Sequence, residues 1–185
     1  INALMRRFAA AGLTVVLTQD WHNPDHLSFA SQHAGKEPYD LFEAPGLGPV
    51  LWPDHCVQGT AGAAFHPDLR TDLAHAVIRK GYHRHVDSYS GFLENDHATE
   101  TGLDGYLRNR GVRRILIVGL AFDYCVFFTA SDGMDKGYEV IVIRDLSRPV
   151  GSPENSVSNA MLTMAQKGVS IVEAAAIAGA PALLR

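Results

Sequence analysis

Apolar positions along the chain switch between two periods, and the switches divide it into elements. Ile1, Leu4, Met5 and Phe8 recur at helical spacing, and Gly12 ends that pattern. Residues 13–18 are a short apolar run of strand length. From Gln19 to His66 periodicity disappears and Pro, Gly, His and Trp accumulate, the composition of a long functional loop. Residues 74–78 predict a second strand, running into Arg79-Lys80-Gly81. Leu103, Tyr106 and Leu107 share one face of a helix predicted over 94–110 and closed by Gly111. Residues 113–118 form a continuous apolar run, as a strand buried on both faces shows. A helix predicted from Cys125 ends at Lys136-Gly137, and a strand follows over 138–143. Ser152-Pro153-Glu154 has the form of a helix start, with a capping serine and a proline in first position. Val157, Ala160, Met161 and Met164 are that helix's buried stripe, and residues 169–172 are a last strand. The Ala-rich tail to Arg185 carries no signal.

Strands alternating with helices predict an α/β fold around a parallel, doubly wound sheet. The 185 residues, 46% of them hydrophobic, suit a single domain over 1–185 with a sizeable core. With 19% charged residues and a net charge of −4, nothing points to nucleic acid or a membrane surface as a partner. No apolar run reaches spanning length. The two cysteines, Cys56 and Cys125, are far apart and form no disulfide framework, which suits a reducing cytoplasm.

Three stretches carry chemistry. Cys125 falls where a buried strand turns into a helix, so unpaired amides and the helix dipole are expected to lower its pKa and to receive an oxyanion. A buried structural cysteine is the competing reading. Asp20, His22 and His26 form D-x-H-x3-H directly after a strand, and Trp52-Pro53-Asp54-His55 adds a further histidine. Imidazole with carboxylate suits zinc, iron or manganese better than calcium or magnesium. The other six histidines, among them His33, His75, His83 and His85, are expected to be solvated. Lys80 closes a strand, which in a parallel sheet delivers it to the same edge as Asp20 and Cys125. There it can stabilise a thiolate, unless it simply extends out of the strand end.

The segments Thr18-Gln19-Asp20-Trp21-His22 with His26, Leu51-Trp52-Pro53-Asp54-His55-Cys56, Lys80-Gly81, Tyr89-Ser90-Gly91-Phe92, Gly119 to Val126 and Asp145-Leu146-Ser147-Arg148 together resemble the isochorismatase-like cysteine hydrolases, in their nicotinamidase (pyrazinamidase) branch. The resemblance implies Cys125 as nucleophile and Lys80 as catalytic lysine. It implies a cis peptide between Leu120 and Ala121, turning the amides of Ala121 and Cys125 towards the oxyanion. It further implies Asp20, His22, His26 and His55 as ligands of one divalent metal ion, zinc first, with iron or manganese as alternatives. Trp52 and Tyr89, with Leu120 and Ala121, would bind the ring of a small-molecule substrate, nicotinamide or pyrazinamide. Self-association into a homo-oligomer is left open. The family begins with a strand ending in D-x-Q, whose aspartate is its third catalytic residue. Ile1 here already corresponds to the helix after it, so the sheet is expected to lack its first strand and the chain to be a piece of a longer protein. Two other classes stay open on the sequence: an amidohydrolase for carbamoyl or ureido substrates, and a non-catalytic metal-binding relative.

Overall fold

The structure, a computed structural model, describes residues 1–178. In chain order the elements are α1 (Asn2–Ala10), β1 (Val16–Asp20), β2 (Ala76–Lys80), α2 (Leu103–Asn109), β3 (Arg114–Leu120), α3 (Phe127–Asp135), β4 (Glu139–Arg148), α4 (Ser156–Gln166), β5 (Ser170–Val172) and α5 (Ala174–Ala178). Every strand pairing is parallel, β1 with β2 and β3–β4–β5 in that order. The last residues of the tail lie outside the described residues.

β4 sorts the core into two layers because successive side chains leave a strand on opposite faces. Val140 and Val142 pack with Phe122, Val126 and Met164, in the cluster that α2, α3 and α4 cover. Ile141 and Ile143 pack on the other face with Ile177 of α5 and Leu4 of α1. β3 divides in the same way, Ile115 and Ile117 to the first cluster, Leu116 and Val118 to the second. Helices therefore lie on both faces of the β3–β4–β5 sheet.

The strand over 113–118 was expected to be buried on both faces, yet the residues of β3 up to Gly119 are only half-buried, whereas Val140–Ile143 of β4 are fully buried. The reason is pairing: β4 has a strand on each side, while β3 has only β4, and among the described residues β1 and β3 exchange no ladder hydrogen bonds. The parallel strands thus form two blocks that share one core, with Val16 and Ile78 of the first block packed against the main cluster of the second.

Three boundaries differ from expectation for local reasons. The helix predicted from 94 begins only at Leu103, because the Asp96 carboxylate captures the amides of Ala98 and Thr99 and the Thr99 hydroxyl, holding a turn. Ser152-Pro153 does not open α4. That bond is cis, and the helix starts at Ser156 after Asn155 in a left-handed conformation (φ 70°). Asp123 fixes the loop before it by accepting from Val150 N (2.9 Å), Gly151 N (2.9 Å) and Ser156 Oγ (2.6 Å). The third is at Cys125, which does not begin an α-helix. Residues Phe122–Val126 form a π turn, with Val126 N bonded to Ala121 O at 3.0 Å, before α3 begins. Such wide turns recur at functional sites because they re-aim one side chain.

Candidate active site

Three strands end at one edge. β1 stops at Asp20, β2 at Lys80 and β3 at Leu120, five residues before Cys125. Carboxyl ends of parallel strands are where open α/β sheets place their sites. The β1–β2 register pairs Asp20 with Lys80, and their side chains meet, Lys80 Nζ lying 2.7 Å from Asp20 Oδ1. The ammonium also donates to Ser88 O and lies 3.5 Å from Cys125 Sγ. Lys80 is buried, so it does not extend from the strand end into solvent.

The electrostatics follow from burial and this pairing. Burial pulls against the Lys80 charge, but Asp20 and Cys125 outweigh it and hold the ammonium protonated well beyond the usual lysine range. Burial likewise works to raise Asp20, and Lys80, His22 and His55 reverse that, leaving its carboxyl below the ordinary value. At Cys125 the balance falls the other way: burial raises the thiol to about 11, with Lys80 lowering and Asp20 raising it. A depressed thiol pKa was expected from the turn, but in this buried pocket desolvation outweighs the lysine. Cys56 is also raised to about 11, by burial and then Asp20.

The Leu120–Ala121 peptide is cis. Beside it lies a cavity of about 320 Å³ whose wall includes Cys125, Ala121, Leu120, Trp52 and Tyr89, together with Asp20 and His55. Trp52 Nε1 donates to Tyr89 Oη at 3.0 Å, and both rings pack edge-on against Tyr124. The aromatic wall is thereby fixed before any ligand enters. Leu120 is 72% exposed at the mouth. A larger hollow of about 720 Å³ lined by Gln19, Trp21 and Arg79 contains neither cysteine nor histidine, and so lacks the chemistry of the first.

The candidate metal ligands fall into two overlapping groups. Asp20, His22 and His55 bring ligand atoms within 4.8 Å of one another, and so do His22, His26 and Asp87. Tautomers show which nitrogens are available. His22 Nδ1–H donates to Gly81 O and His55 Nδ1–H to Pro53 O, each at 2.8 Å, leaving both Nε2 lone pairs for a cation. His26 is less ready: Nδ1 accepts from Ser28 N (3.1 Å), and Nε2 lies 3.2 Å from Val86 O. Burial, followed by His55 and His26, keeps His22 neutral with a pKa near 4, although Asp87 and Asp20 oppose the shift. Neutral imidazole is the form a metal binds.

Gly81 makes this approach possible. Its φ is 63°, and a Cβ there would lie 2.7 Å from His22 Cε1. Glu94, fully buried, holds the same loop by accepting from Gly81 N (3.3 Å) and pairing with His83 Nδ1 (2.9 Å). His83 was expected to be simply solvated and is instead a partner of that carboxylate. His33 and His75 also hold backbone, at Leu27 O and Val15 N. Sequence reasoning missed Asp87, Ser88, Glu94 and Tyr124 as parts of the site. Asp87 and Ser88 immediately precede Tyr89, which was the available signal.

The domain model for the isochorismatase family matches residues 1–176. The chain belongs to the isochorismatase family. It is 47% identical over 156 residues to a nicotinamidase of Acinetobacter baylyi, covering 84% of this chain and 72% of that protein. A solved Acinetobacter baumanii nicotinamidase/pyrazinamidase superposes with a TM-score of 0.89 at 44% identity, over 95% of this chain and 84% of that one. The Pyrococcus horikoshii pyrazinamidase, solved in complex with zinc, gives 0.71 at 34% identity, over 93% and 82%.

Proposed function

We propose that the Cys125 site hydrolyses the carboxamide of nicotinamide to nicotinate and ammonia, and that of pyrazinamide to pyrazinoate. The carrying observation is Cys125 Sγ 3.5 Å from a buried lysine, in a cavity that also presents Asp20 and His55. The identity to nicotinamidases over most of the chain supports this amide-hydrolase reading.

The substrate ring would lie in the cavity against Trp52 and Tyr89, with Leu120 at the entrance and the carboxamide towards Cys125. Asp20, His22 and His55 would hold one divalent ion, His26 joining as a fourth ligand on giving up its contact with Val86 O, and zinc fits these nitrogen and carboxylate donors. When bound, such an ion would supply a Lewis-acid centre able to receive the ring nitrogen of the substrate. A carbamoyl or ureido substrate offers no such nitrogen, which disfavours that rival.

With its pKa near 11, the thiol is protonated at neutral pH and loses its proton as it attacks. Sulfur bonds to the amide carbon, and the oxyanion is held by the amides of Ala121 and Cys125. The thiol proton ends on the departing nitrogen, while Lys80, bonded to Asp20 and 3.5 Å from Sγ, stays an ammonium and steadies the negative charge that builds on sulfur. The C–N bond breaks, ammonia leaves and a thioester remains. Water then cleaves the C–S bond, releasing the carboxylic acid and restoring the thiol.

We read the whole chain as belonging to one such domain, acting on a small molecule in nicotinamide salvage in the cytoplasm. Two free cysteines support that compartment. Ammonia release from nicotinamide by zinc-loaded protein tests the reading, with Cys125→Ala as the blank. No release by the parent, or equal release by the variant, would sink it.

A further inference from the structure

Among the described residues, Asp87 is the one buried carboxylate near the site with an oxygen left without a hydrogen-bond partner. The residue is 2% exposed, between Val86 and Ser88 on the segment that follows β2. Its backbone is pinned on both sides, N donating to Gly46 O and O accepting from Asn95 N, each at 2.8 Å. The side chain therefore has little freedom to turn elsewhere. Oδ1 accepts from Ser88 N at 2.8 Å, while Oδ2 is buried with no hydrogen-bond partner. No lysine or arginine forms an ion pair with it among the described residues, and Lys80 is bonded to Asp20 and Ser88 O. A buried carboxylate oxygen in this condition carries a large desolvation penalty unless a cation comes to it.

The neighbours of Asp87 are metal-binding side chains. Its carboxylate lies within 4.8 Å of the ligand atoms of His22 and His26. His22 has Nδ1 committed to Gly81 O, so the same Nε2 serves this group and the Asp20–His22–His55 group. Two groups that converge on one nitrogen describe one ion rather than two. His26, by contrast, has both nitrogens engaged by Ser28 and Val86. Of the groups on that side of His22, Asp87 is thus the one with a free donor atom.

We propose that Asp87 is a further carboxylate of this metal centre, taking the ion, or a water held by it, through Oδ2. The inference rests on the reading that Asp20, His22 and His55 bind a divalent cation. Two carboxylates with neutral imidazoles would balance a 2+ charge in a buried site, and the free oxygen of Asp87 would gain its missing partner.

Asp87→Asn keeps the shape and the acceptor for Ser88 N but removes the charge. Zinc affinity, measured by competition with a chromogenic chelator, should fall about tenfold or more relative to the parent. The cobalt(II)-loaded variant should also show an altered visible spectrum. Without metal, the variant should melt no lower than the metal-free parent, since it loses an unpaired charge. A purely structural carboxylate would instead lower the metal-free melting temperature and leave zinc affinity in place, and that result overturns the proposal. Should Asp87→Asn fail to fold, a crystal structure of the zinc-loaded parent decides. Oδ2 touching the ion or one of its waters supports the proposal, and Oδ2 bonded only to protein groups refutes it. A parent that binds no zinc removes the metal reading and this inference together. A parent that binds zinc as tightly as the variant removes this inference alone.

Discussion

Asp20 and Lys80 are the last residues of two parallel strands in register, and the final rung of that ladder is also an ion pair of 2.7 Å. A parallel register usually brings side chains near each other without joining them. Here it joins the first residue of the proposed metal loop to the lysine beside Cys125. The two halves of the proposed site, one for the ring and one for the amide, are thereby coupled through one carboxylate.

Lys80→Met tests that coupling. It retains the buried stem and removes the cation, so nicotinamide turnover should fall by at least about a hundredfold. Breaking a buried pair costs about 3–5 kcal/mol, and Asp20 keeps some access to solvent, so the lower end applies to stability. Steady-state kinetics together with a thermal melt check both parts. Near-parental kcat in the variant would show that Lys80 only anchors Asp20.

The raised Cys125 pKa sets a pH profile with a definite sign. Thiolate is the reactive form, and an acid whose pKa is raised holds its proton to higher pH. Iodoacetamide labelling of the metal-free protein should therefore speed up about tenfold per pH unit from neutral and level off only near 11, where an ordinary thiol levels off near 9. Peptide mapping should place the label at Cys125, and nicotinamide should slow it. Labelling confined to Cys56 and indifferent to nicotinamide would contradict the assignment of the nucleophile.

Gly81→Ala is expected to weaken metal binding without touching a ligand. The added methyl would lie 2.7 Å from His22 Cε1 at a residue whose φ is already 63°. His22 must then shift, losing the bond from Nδ1 to Gly81 O that leaves Nε2 free. A tenfold or greater loss of zinc affinity is the expected outcome, read by chelator competition. Unchanged affinity would mean that the loop, and not the imidazole, gives way.

The fold was legible in the sequence where one periodicity ran uninterrupted. The continuous apolar runs at Val140–Ile143 and before Gly119 declared a parallel α/β protein, and the strands begin within a few residues of expectation, whereas the helix expected from 94 starts only at Leu103. The half-burial of β3 was not legible from its own residues, because it depends on which strands pair with it. The D-x-H-x3-H spacing offered Asp20, His22 and His26, the family resemblance added His55 to the same group, and the structure brings Asp20, His22 and His55 together. The spacing could not show that His26 uses both nitrogens on Ser28 and Val86, since tautomers are chosen by neighbours distant in sequence. Asp87 was invisible for a similar reason: nothing in Val86-Asp87-Ser88 says that one oxygen will be buried without a partner. The turn at Cys125 suggested a lowered pKa from local dipoles, whereas the burial that raises it is contributed by the whole fold.

Asp123 gives the last prediction, because it links the turn that carries Cys125 to the cavity wall. It lies two residues before Cys125, is 4% exposed, and accepts from Val150 N, Gly151 N and Ser156 Oγ. Val150 lines the cavity, and Tyr124 Oη donates to Ser152 O at 2.5 Å on the same loop. The loop is thus tied to the turn by both residues that precede the cysteine. Asp123→Asn leaves one acceptor oxygen and turns an NH2 group against backbone donors, so at least one bond is lost and one repulsive contact is made. Hydrogen bonds to charged groups contribute about 1.5–3 kcal/mol each, so a loss of about 2–4 kcal/mol is expected in a denaturant titration. Loosening Val150 should raise KM for nicotinamide more than it lowers kcat, since Cys125 and Lys80 keep their own contacts. A variant with parental stability and an unchanged KM would show that the loop is held in place without Asp123, and that the cavity wall does not depend on this carboxylate.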